Sequence, residues 1–384
     1  MVRQSRDCSS SRGERSEADL QQLQRQGSLL VRSAAQFREL VQSAGLEQAY
    51  GQTHVVVAAN AEFTDQASLV LHLGLCDPPM RMQRCRLGGA EAWGGHGNSD
   101  LVMPIDQGGA QALEQLLGGH QLPFSASGQA TSQQPRLELE TSLSLAEIGA
   151  GRLLLHRGIT ENGVVAVSSR EGRTSTAWGP VLGPLSTGLY SCSGAGSIGL
   201  TMPGLRLLGP GSPVLVAGAL GWVSGSGSGH NPEVRRQGSG HALGPGACCA
   251  LEADVHQLEP RWLRATQLHD ERTGLLVAVA APVPLLNLQI AAEAACDQGE
   301  LQAPVLDYGI PRRVRPSLGL VDYAQLHSGR LTIDGRQISC APAHSRRLAE
   351  EISAALMEQL QSGRFPLRLP LQPLSARPAL RALG

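Results

Sequence analysis

The chain of 384 residues contains no lysine, so all 32 of its Lys and Arg residues are arginine. Without lysine no side chain can form a Schiff base, which excludes catalysis through pyridoxal phosphate held as an internal aldimine. A Walker-type phosphate loop also requires lysine and is excluded for the same reason. Aromatic residues are scarce as well, at 3%, so the core must be built from leucine, valine, isoleucine and alanine.

An excess of charge is lacking too, because 33 acidic residues balance the arginines to a net charge of -1. We therefore expect no nucleic-acid partner and no membrane partner. No apolar run is long enough to span a bilayer, and no secretory-type apolar segment follows the first arginines. The eight cysteines include no CxxC pair, which argues against a bound metal and against a disulfide framework. These absences predict a cytoplasmic protein with reduced thiols and no cofactor bound by this chain.

The sequence that is present divides into a long ordered region and two tails. Residues 1–27 predict a disordered polar tail, and residues 376–384 a loose basic one. Between them, 28–375 shows neither a linker nor an internal repeat, and a long helix is predicted from Ser345 to Leu360. The fold class that we expect is α/β, a single domain with a mixed sheet, Gly-rich loops and a long C-terminal helix.

Two glycine-rich stretches have the composition of anion-binding turns. The first, Gly194-Ala-Gly-Ser-Ile-Gly199, matches the letters of a dinucleotide fingerprint, but Pro203 interrupts the helix that should follow, so a plain turn is favoured. In the second, alternating glycines follow a buried strand and let successive N–H groups face one concavity, with a histidine and an asparagine at its rim. A flexible surface loop is the alternative for this stretch. The residues predicted to bind an anionic substrate here are Gly194, Gly196, Gly225, Gly227, Gly229, His230 and Asn231.

Two cysteines next to rigid turns are candidate catalytic nucleophiles. Cys76 precedes Asp77 and two prolines, so a thiol and a carboxylate that could contact substrate share one turn. Cys192 stands before the Gly194 turn, whose oriented N–H groups are expected to lower the pKa of its thiol and so favour the reactive thiolate. For either cysteine, the role of a small buried hydrophobe is the alternative.

Several motifs, taken together and in order, resemble the homocysteine-biosynthesis sulfur-incorporation family (HcyBio). The resemblance extends from about residue 28 to about residue 375. Its motifs lie at residues 76–82, 88–95, 164–169, 190–194, 218–232, 264–266, 274–287, 307–309 and 323–335.

The resemblance implies that the protein makes homocysteine from aspartate semialdehyde and reduced sulfur, without pyridoxal phosphate. It implies thiol-mediated delivery of sulfur to an aldehyde carbon, followed by reduction with electrons from a small ferredoxin-like iron–sulfur partner. Many members carry a C-terminal pair of CBS domains, and this sequence resembles a divergent member without them.

Two cysteines of the family pattern are replaced in this sequence. The stretch 130–136 places Gln133 where the family has its principal reactive cysteine, and 62–67 has no cysteine at the position of a second. A glutamine side chain can form hydrogen bonds but cannot carry sulfur. Two readings follow: Cys192 or Cys76 has taken over as the catalytic thiol, or the chain is a non-catalytic protein that binds a small anionic metabolite.

Overall fold

The computed structural model describes residues 13–94, 100–267 and 272–376. Its helices are α1 (Glu17–Arg25), α2 (Ala34–Ala44), α3 (Leu46–Gly51), α4 (Gly109–Leu117), α5 (Ile198–Thr201), α6 (Leu288–Ala294), α7 (Tyr323–His327) and α8 (Arg346–Gln361). Its strands are β1 (Val31–Ser33), β2 (Val55–Thr64), β3 (Ala67–Leu73), β4 (Met82–Leu87), β5 (Ala90–Gly94), β6 (Asp100–Pro104), β7 (Leu122–Gly128), β8 (Glu138–Leu143), β9 (Ile148–Thr160), β10 (Val165–Val167), β11 (Gly172–Thr176), β12 (Gly179–Gly183), β13 (Thr187–Tyr190), β14 (Pro213–Val216), β15 (Ala219–Ser226), β16 (Cys248–Asp254), β17 (Leu263–Gln267), β18 (Thr273–Pro284), β19 (Gln302–Asp307), β20 (Ser317–Asp322), β21 (Arg330–Ile333) and β22 (Arg336–Pro342).

Fourteen strands form a large sheet in the order β1-β2-β18-β14-β15-β16-β9-β3-β6-β5-β4-β7-β8, with β17 also pairing with β18. Strand β1 runs parallel to β2, whereas β2 and β18 pair antiparallel over ten residues. Every residue of β18 is buried, as its unbroken run of small and aliphatic residues predicts for a central strand. The main hydrophobic core forms around this sheet.

A smaller sheet of six strands has the order β20-β19-β10-β13-β22-β21 and its own hydrophobic core. It is mixed, because β10 runs parallel to β19 and β13 runs parallel to β22, while the other neighbours are antiparallel. The β21–β22 hairpin turns at Asp334 and Gly335, which both have positive φ, as a tight two-residue hairpin turn requires. The predicted α/β class with a mixed sheet is confirmed.

The predicted long C-terminal helix is present as α8. Ser345 caps its N-terminus by accepting a hydrogen bond from the backbone N–H of Leu348. Ile352, Leu356 and Leu360 recur every four residues and are fully buried, because α8 packs across β2 and β18 of the large sheet. This amphipathic face fixes the helix to the core.

The expectation of a disordered tail over residues 1–27 is wrong where helix α1 forms. Leu20 is fully buried, and the side-chain amides of Gln21 and Gln24 donate to backbone carbonyls of the segment that follows α8. One leucine and two amides are too weak a pattern to reveal this helix in so polar a sequence. Residues 1–12 of that tail and 377–384 of the C-terminal tail lie outside the described residues. Within the described part of the chain, no helix is long and apolar enough to cross a membrane.

Candidate functional site

A cleft of about 500 Å³ lies where strands β2 and β9 of the large sheet meet the ends of β10, β13 and β19 of the small sheet. Glu62 comes from the end of β2 and Arg157 from β9. Cys192 follows β13, and the segment that joins β9 to β10 contributes Asn162 and Gly163. The cleft therefore depends on the packing of the two sheets against each other.

Cys192 is the thiol that lines this cleft, and it is only 3% exposed. Burial, together with the nearby Glu62 carboxylate, raises the pKa of its thiol to about 11. Contacts of the thiol with Ser197, the Gly194 N–H and Tyr323 act in the opposite direction but are outweighed. The sequence-based expectation of a lowered pKa is therefore wrong, because the desolvation of the charged form exceeds the stabilisation by the glycine turn.

Glu62 places a carboxyl group with a raised pKa next to this thiol. Its burial raises its pKa to about 8, although the positive charge of Arg157 opposes the shift. Its Oε1 accepts a hydrogen bond of 3.1 Å from Asn60 Nδ2, and Asn60 Oδ1 in turn accepts from the backbone N–H of Ile198. Glu62 is held in place and is largely protonated at neutral pH, so it can exchange a proton near the operating pH.

Tyr323 and Asn162 fix the other side of the thiol. The Tyr323 hydroxyl donates to Asn162 Oδ1 at 2.6 Å, and Asn162 Nδ2 donates to the carbonyls of Ala242 and Gln302. Burial raises the pKa of Tyr323 well above its usual value, and the tyrosine also contacts Cys192. This network leaves Cys192 little freedom to move.

Three guanidinium groups make the cleft suitable for a small carboxylate. Arg272 forms an ion pair of 3.7 Å with Asp65, and Arg315 stacks at 4.0 Å over the ring of Tyr308. Arg157 donates from Nε to the Thr160 hydroxyl at 3.1 Å. Among the described residues, Arg157 forms no ion pair with a carboxylate within 4 Å. Arginine is the side chain best suited to a bidentate carboxylate contact.

The second glycine-rich stretch does not form the expected anion-binding concavity. Backbone N–H groups of Gly227, His230 and Asn231 donate to backbone carbonyls at 2.8–3.1 Å, so they are not available to an anion. Gly225 has open space beside it, whereas Gly229 does line the cleft beside Arg157.

His230 is directed away from the cleft into a structural role. Its Nδ1 accepts from the Cys248 N–H, and its Nε2 lies 2.7 Å from the Ser375 carbonyl. Its ring therefore ties the glycine loop to the segment that follows α8.

The first glycine-rich turn supports Cys192 rather than a dinucleotide. A Cβ at Gly194 would lie 2.7 Å from the Tyr323 ring, so the turn packs directly on that residue. Gly196 faces a separate cavity, and its carbonyl accepts from the Ala59 N–H. The helix that follows, α5, has four residues, which agrees with the plain turn that the sequence favours.

Cys76, Asp77 and Gln133 lie in two loops at the other end of the large sheet, which we call the edge loops (residues 74–81 and 129–137). Arg136 joins them, donating from Nη1 to the Asp77 carbonyl at 3.2 Å and from its backbone N–H to the Pro79 carbonyl. None of these residues lines the cleft. The structure thus joins the loop of Cys76 to the loop of Gln133 through Arg136, and neither loop lines the cleft that contains Cys192.

The sequence analysis missed Glu62, Arg157, Asn162 and Tyr323 as residues of this cleft. Glu62 carried one usable signal, because it is the first carboxylate after the apolar run of β2 and falls within the 62–67 segment. The other three come from distant elements, and no local pattern connects them. In the part of the chain that the structure describes, no three His, Cys, Asp or Glu side chains cluster as metal ligands would.

A buried thiol, a carboxyl group and guanidinium groups thus line one cleft, as they do in enzymes that act on small charged molecules. The chain belongs to the family of homocysteine biosynthesis enzymes for sulfur incorporation (HcyBio), whose model matches residues 29–367. The resemblance inferred from the sequence is thereby confirmed.

Two relatives are named L-aspartate semialdehyde sulfurtransferase. One, from Methanocaldococcus jannaschii, is 27% identical over 369 residues, which cover 89% of this chain and 70% of the relative. The other, from Methanosarcina acetivorans, is 26% identical over 366 residues, which cover 93% of this chain and 71% of the relative. No solved structure matches the chain significantly.

Proposed function

We propose that the protein transfers reduced sulfur to the aldehyde carbon of aspartate semialdehyde in homocysteine biosynthesis, without pyridoxal phosphate. Family membership and the names of the two relatives support this function. The observation that carries it is the Cys192 thiol, which faces the cleft beside Glu62 and the guanidinium group of Arg157.

The cleft offers a complementary group for each charge of the substrate. Arg157 takes the substrate carboxylate, because Arg272 is already paired with Asp65. Arg315, whose Nε is buried without a hydrogen-bond partner among the described residues, can share that carboxylate. Asp65 also lines the cleft, and because its contact with Arg272 involves Oδ2, its Oδ1 takes the ammonium group. This orientation directs the aldehyde carbon toward Cys192.

Cys192 delivers the sulfur as a persulfide, which forms when a sulfane-sulfur donor such as a polysulfide transfers one zero-valent sulfur atom to the Cys192 thiolate. The terminal sulfur attacks the carbonyl carbon, and protonated Glu62 gives its proton to the developing alkoxide. Two electrons then cleave the S–S bond, which frees Cys192 and leaves a hydroxythiol. Loss of water and two further electrons give the thiol. In total one sulfur atom, four electrons and four protons are consumed, and the electrons come from a ferredoxin-like iron–sulfur partner.

The test is an assay of homocysteine formed from aspartate semialdehyde, polysulfide and a low-potential reductant, with the partner protein supplied. Wild-type protein should form homocysteine, and Cys192→Ser should form none. Cys340→Ser is the matched control, because Cys340 is equally buried but lies in the small sheet outside the cleft. Complementation of a homocysteine auxotroph supplied with polysulfide should follow the same pattern. Full activity of Cys192→Ser, or no product from wild type, contradicts the proposal.

The replacement of the family cysteine by Gln133 favours one alternative, a non-catalytic protein that binds a small anionic metabolite. In that case aspartate semialdehyde should raise the melting temperature of wild type, because a ligand of the folded state stabilises it. Arg157→Met should abolish that rise, and no homocysteine should form under any of the assay conditions.

A further inference from the structure

A second cavity, of about 480 Å³, lies between helices α2 and α8 and the turn at Gly194–Gly199. It shares no lining residue with the cleft. One short segment separates the two, since Ser191 and Cys192 line the cleft while Ser193 and Gly196 line the second cavity. A ligand in the second cavity would therefore contact the turn that positions Cys192.

Two polar atoms of the lining are buried without a hydrogen-bond partner. They are Nη1 of Arg38, on α2, and Oγ of Ser353, on α8. Ser353 is only 7% exposed. Buried polar atoms in folded proteins are almost always hydrogen-bonded, and each unsatisfied one costs about 1–3 kcal/mol. These two atoms therefore indicate a ligand that accepts hydrogen bonds.

The positive charge of Arg38 is not neutralised by an ion pair within 4 Å among the described residues. Asp297 and Glu39 are close enough to influence it only at longer range. A Cβ at Gly196 would lie 3.7 Å from Arg38 Nη2, and the positive φ of this glycine disfavours any other residue. Arg38 therefore lines the cavity with a charge that is unpaired among the described residues, and the exposed side chain of Arg346 also lines it.

The remaining walls are largely apolar. Val57 and Ala59 of β2 face Met357 of α8 across the cavity. Two carboxylates, Glu350 and Glu358, also line it but are exposed at its rim, and Glu358 is paired with Arg364. A volume of this size falls in the range of small-molecule sites.

We propose that the second cavity binds a small organic anion, with a carboxylate or phosphate group on Arg38 and an apolar body against β2 and α8. The anion forms charge-assisted hydrogen bonds with the guanidinium group and accepts a hydrogen bond from Ser353. Inorganic anions have no apolar body to contact β2 and α8, so we expect them to bind more weakly than organic anions. This site is independent of the sulfur-transfer cleft and does not rest on the function proposed for it.

The probes are benzoate, phenyl phosphate, inorganic phosphate and neutral benzyl alcohol, with binding measured by thermal denaturation and calorimetry. At least one of the two organic anions should bind saturably. The one that binds more tightly shows whether the site prefers a carboxylate or a phosphate group. Inorganic phosphate and benzyl alcohol should each bind at least about tenfold more weakly, because inorganic phosphate lacks the apolar body and benzyl alcohol lacks the negative charge.

Arg38→Met and Ser353→Leu should each weaken the organic anion by about tenfold or more, by removing the charge or by filling the cavity. Ser353→Leu replaces a hydroxyl that has no hydrogen-bond partner by a larger apolar side chain. We therefore expect it to fold, so that the proposal can be tested even if Arg38→Met does not fold. Arg347→Gln, on the exposed face of α8, should bind as wild type does. The proposal is overturned if neither organic anion binds, if inorganic phosphate binds equally well, if both cavity variants bind normally, or if Arg157→Met abolishes binding and so places the anion in the cleft.

Discussion

The two regions that carry candidate thiols differ in how they are built. Cys192 sits between the two sheets, where Glu62, Tyr323 and Gly194 come from separate elements and enclose it. Cys76 sits in the edge loops, half-exposed, where Arg136 bonds to backbone carbonyls. The first region surrounds a thiol with groups that can exchange protons and bind charge, whereas the second is a turn held by its backbone. We therefore expect Cys192, rather than Cys76, to be the reactive thiol.

The largest expected effect is the loss of activity in Cys192→Ser, and restoring the family cysteine in the edge loops should not reverse it. In the background of Cys192→Ser, the added change Gln133→Cys should not recover homocysteine formation, and activity should stay about a hundredfold or more below wild type. The reason is geometric, because Gln133 does not line the cleft that contains Glu62 and Arg157.

Cys76→Ser is the companion variant for this comparison and should keep activity within about twofold of wild type, since it touches neither the cleft nor its network. Rescue by Gln133→Cys, or inactivity of Cys76→Ser, would move the catalytic thiol to the edge loops.

A pair of glycine substitutions compares how tightly the two regions are packed. In Gly163→Ala the new Cβ would lie 2.5 Å from the Cβ of Cys192 and 2.6 Å from the Ser191 hydroxyl. Such overpacking should lower the free energy of unfolding by about 3 kcal/mol. Gly74→Ala, two residues before Cys76, meets nothing within 4 Å and should change it by less than about 0.5 kcal/mol. Urea denaturation measures both values, and equal losses would show that the cleft is no more constrained than the edge loops.

The elements with strong local patterns could be predicted from the sequence, and the cleft could not. The helix after Ser345 and the hairpin turn at Asp334 follow from capping and turn chemistry, which act within a few residues. The glycine turn also drew attention to Cys192, which lies in the cleft. It gave the wrong direction for the pKa of that thiol, because burial is decided by the packing of distant strands. The sequence placed His230 at the rim of an anion-binding loop and could not reveal its hydrogen bond to the Ser375 carbonyl, because Ser375 is 145 residues away.

The smallest effect is a pH dependence that separates the buried carboxyl group of the cleft from an exposed one in the edge loops. Burial raises the pKa of Glu62 from 4.5 to about 8, so between these values the folded state holds a proton that the unfolded state has lost. The free energy of unfolding must therefore fall as the pH rises through this window, and Glu62→Gln should not share that fall. Between pH 6 and pH 8 wild type should lose about 2 kcal/mol more than the variant. Asp77→Asn is the matched change in the edge loops and should follow the wild-type curve. Urea denaturation across this pH range measures all three proteins, and parallel curves for wild type and Glu62→Gln would contradict a protonated carboxyl group beside Cys192.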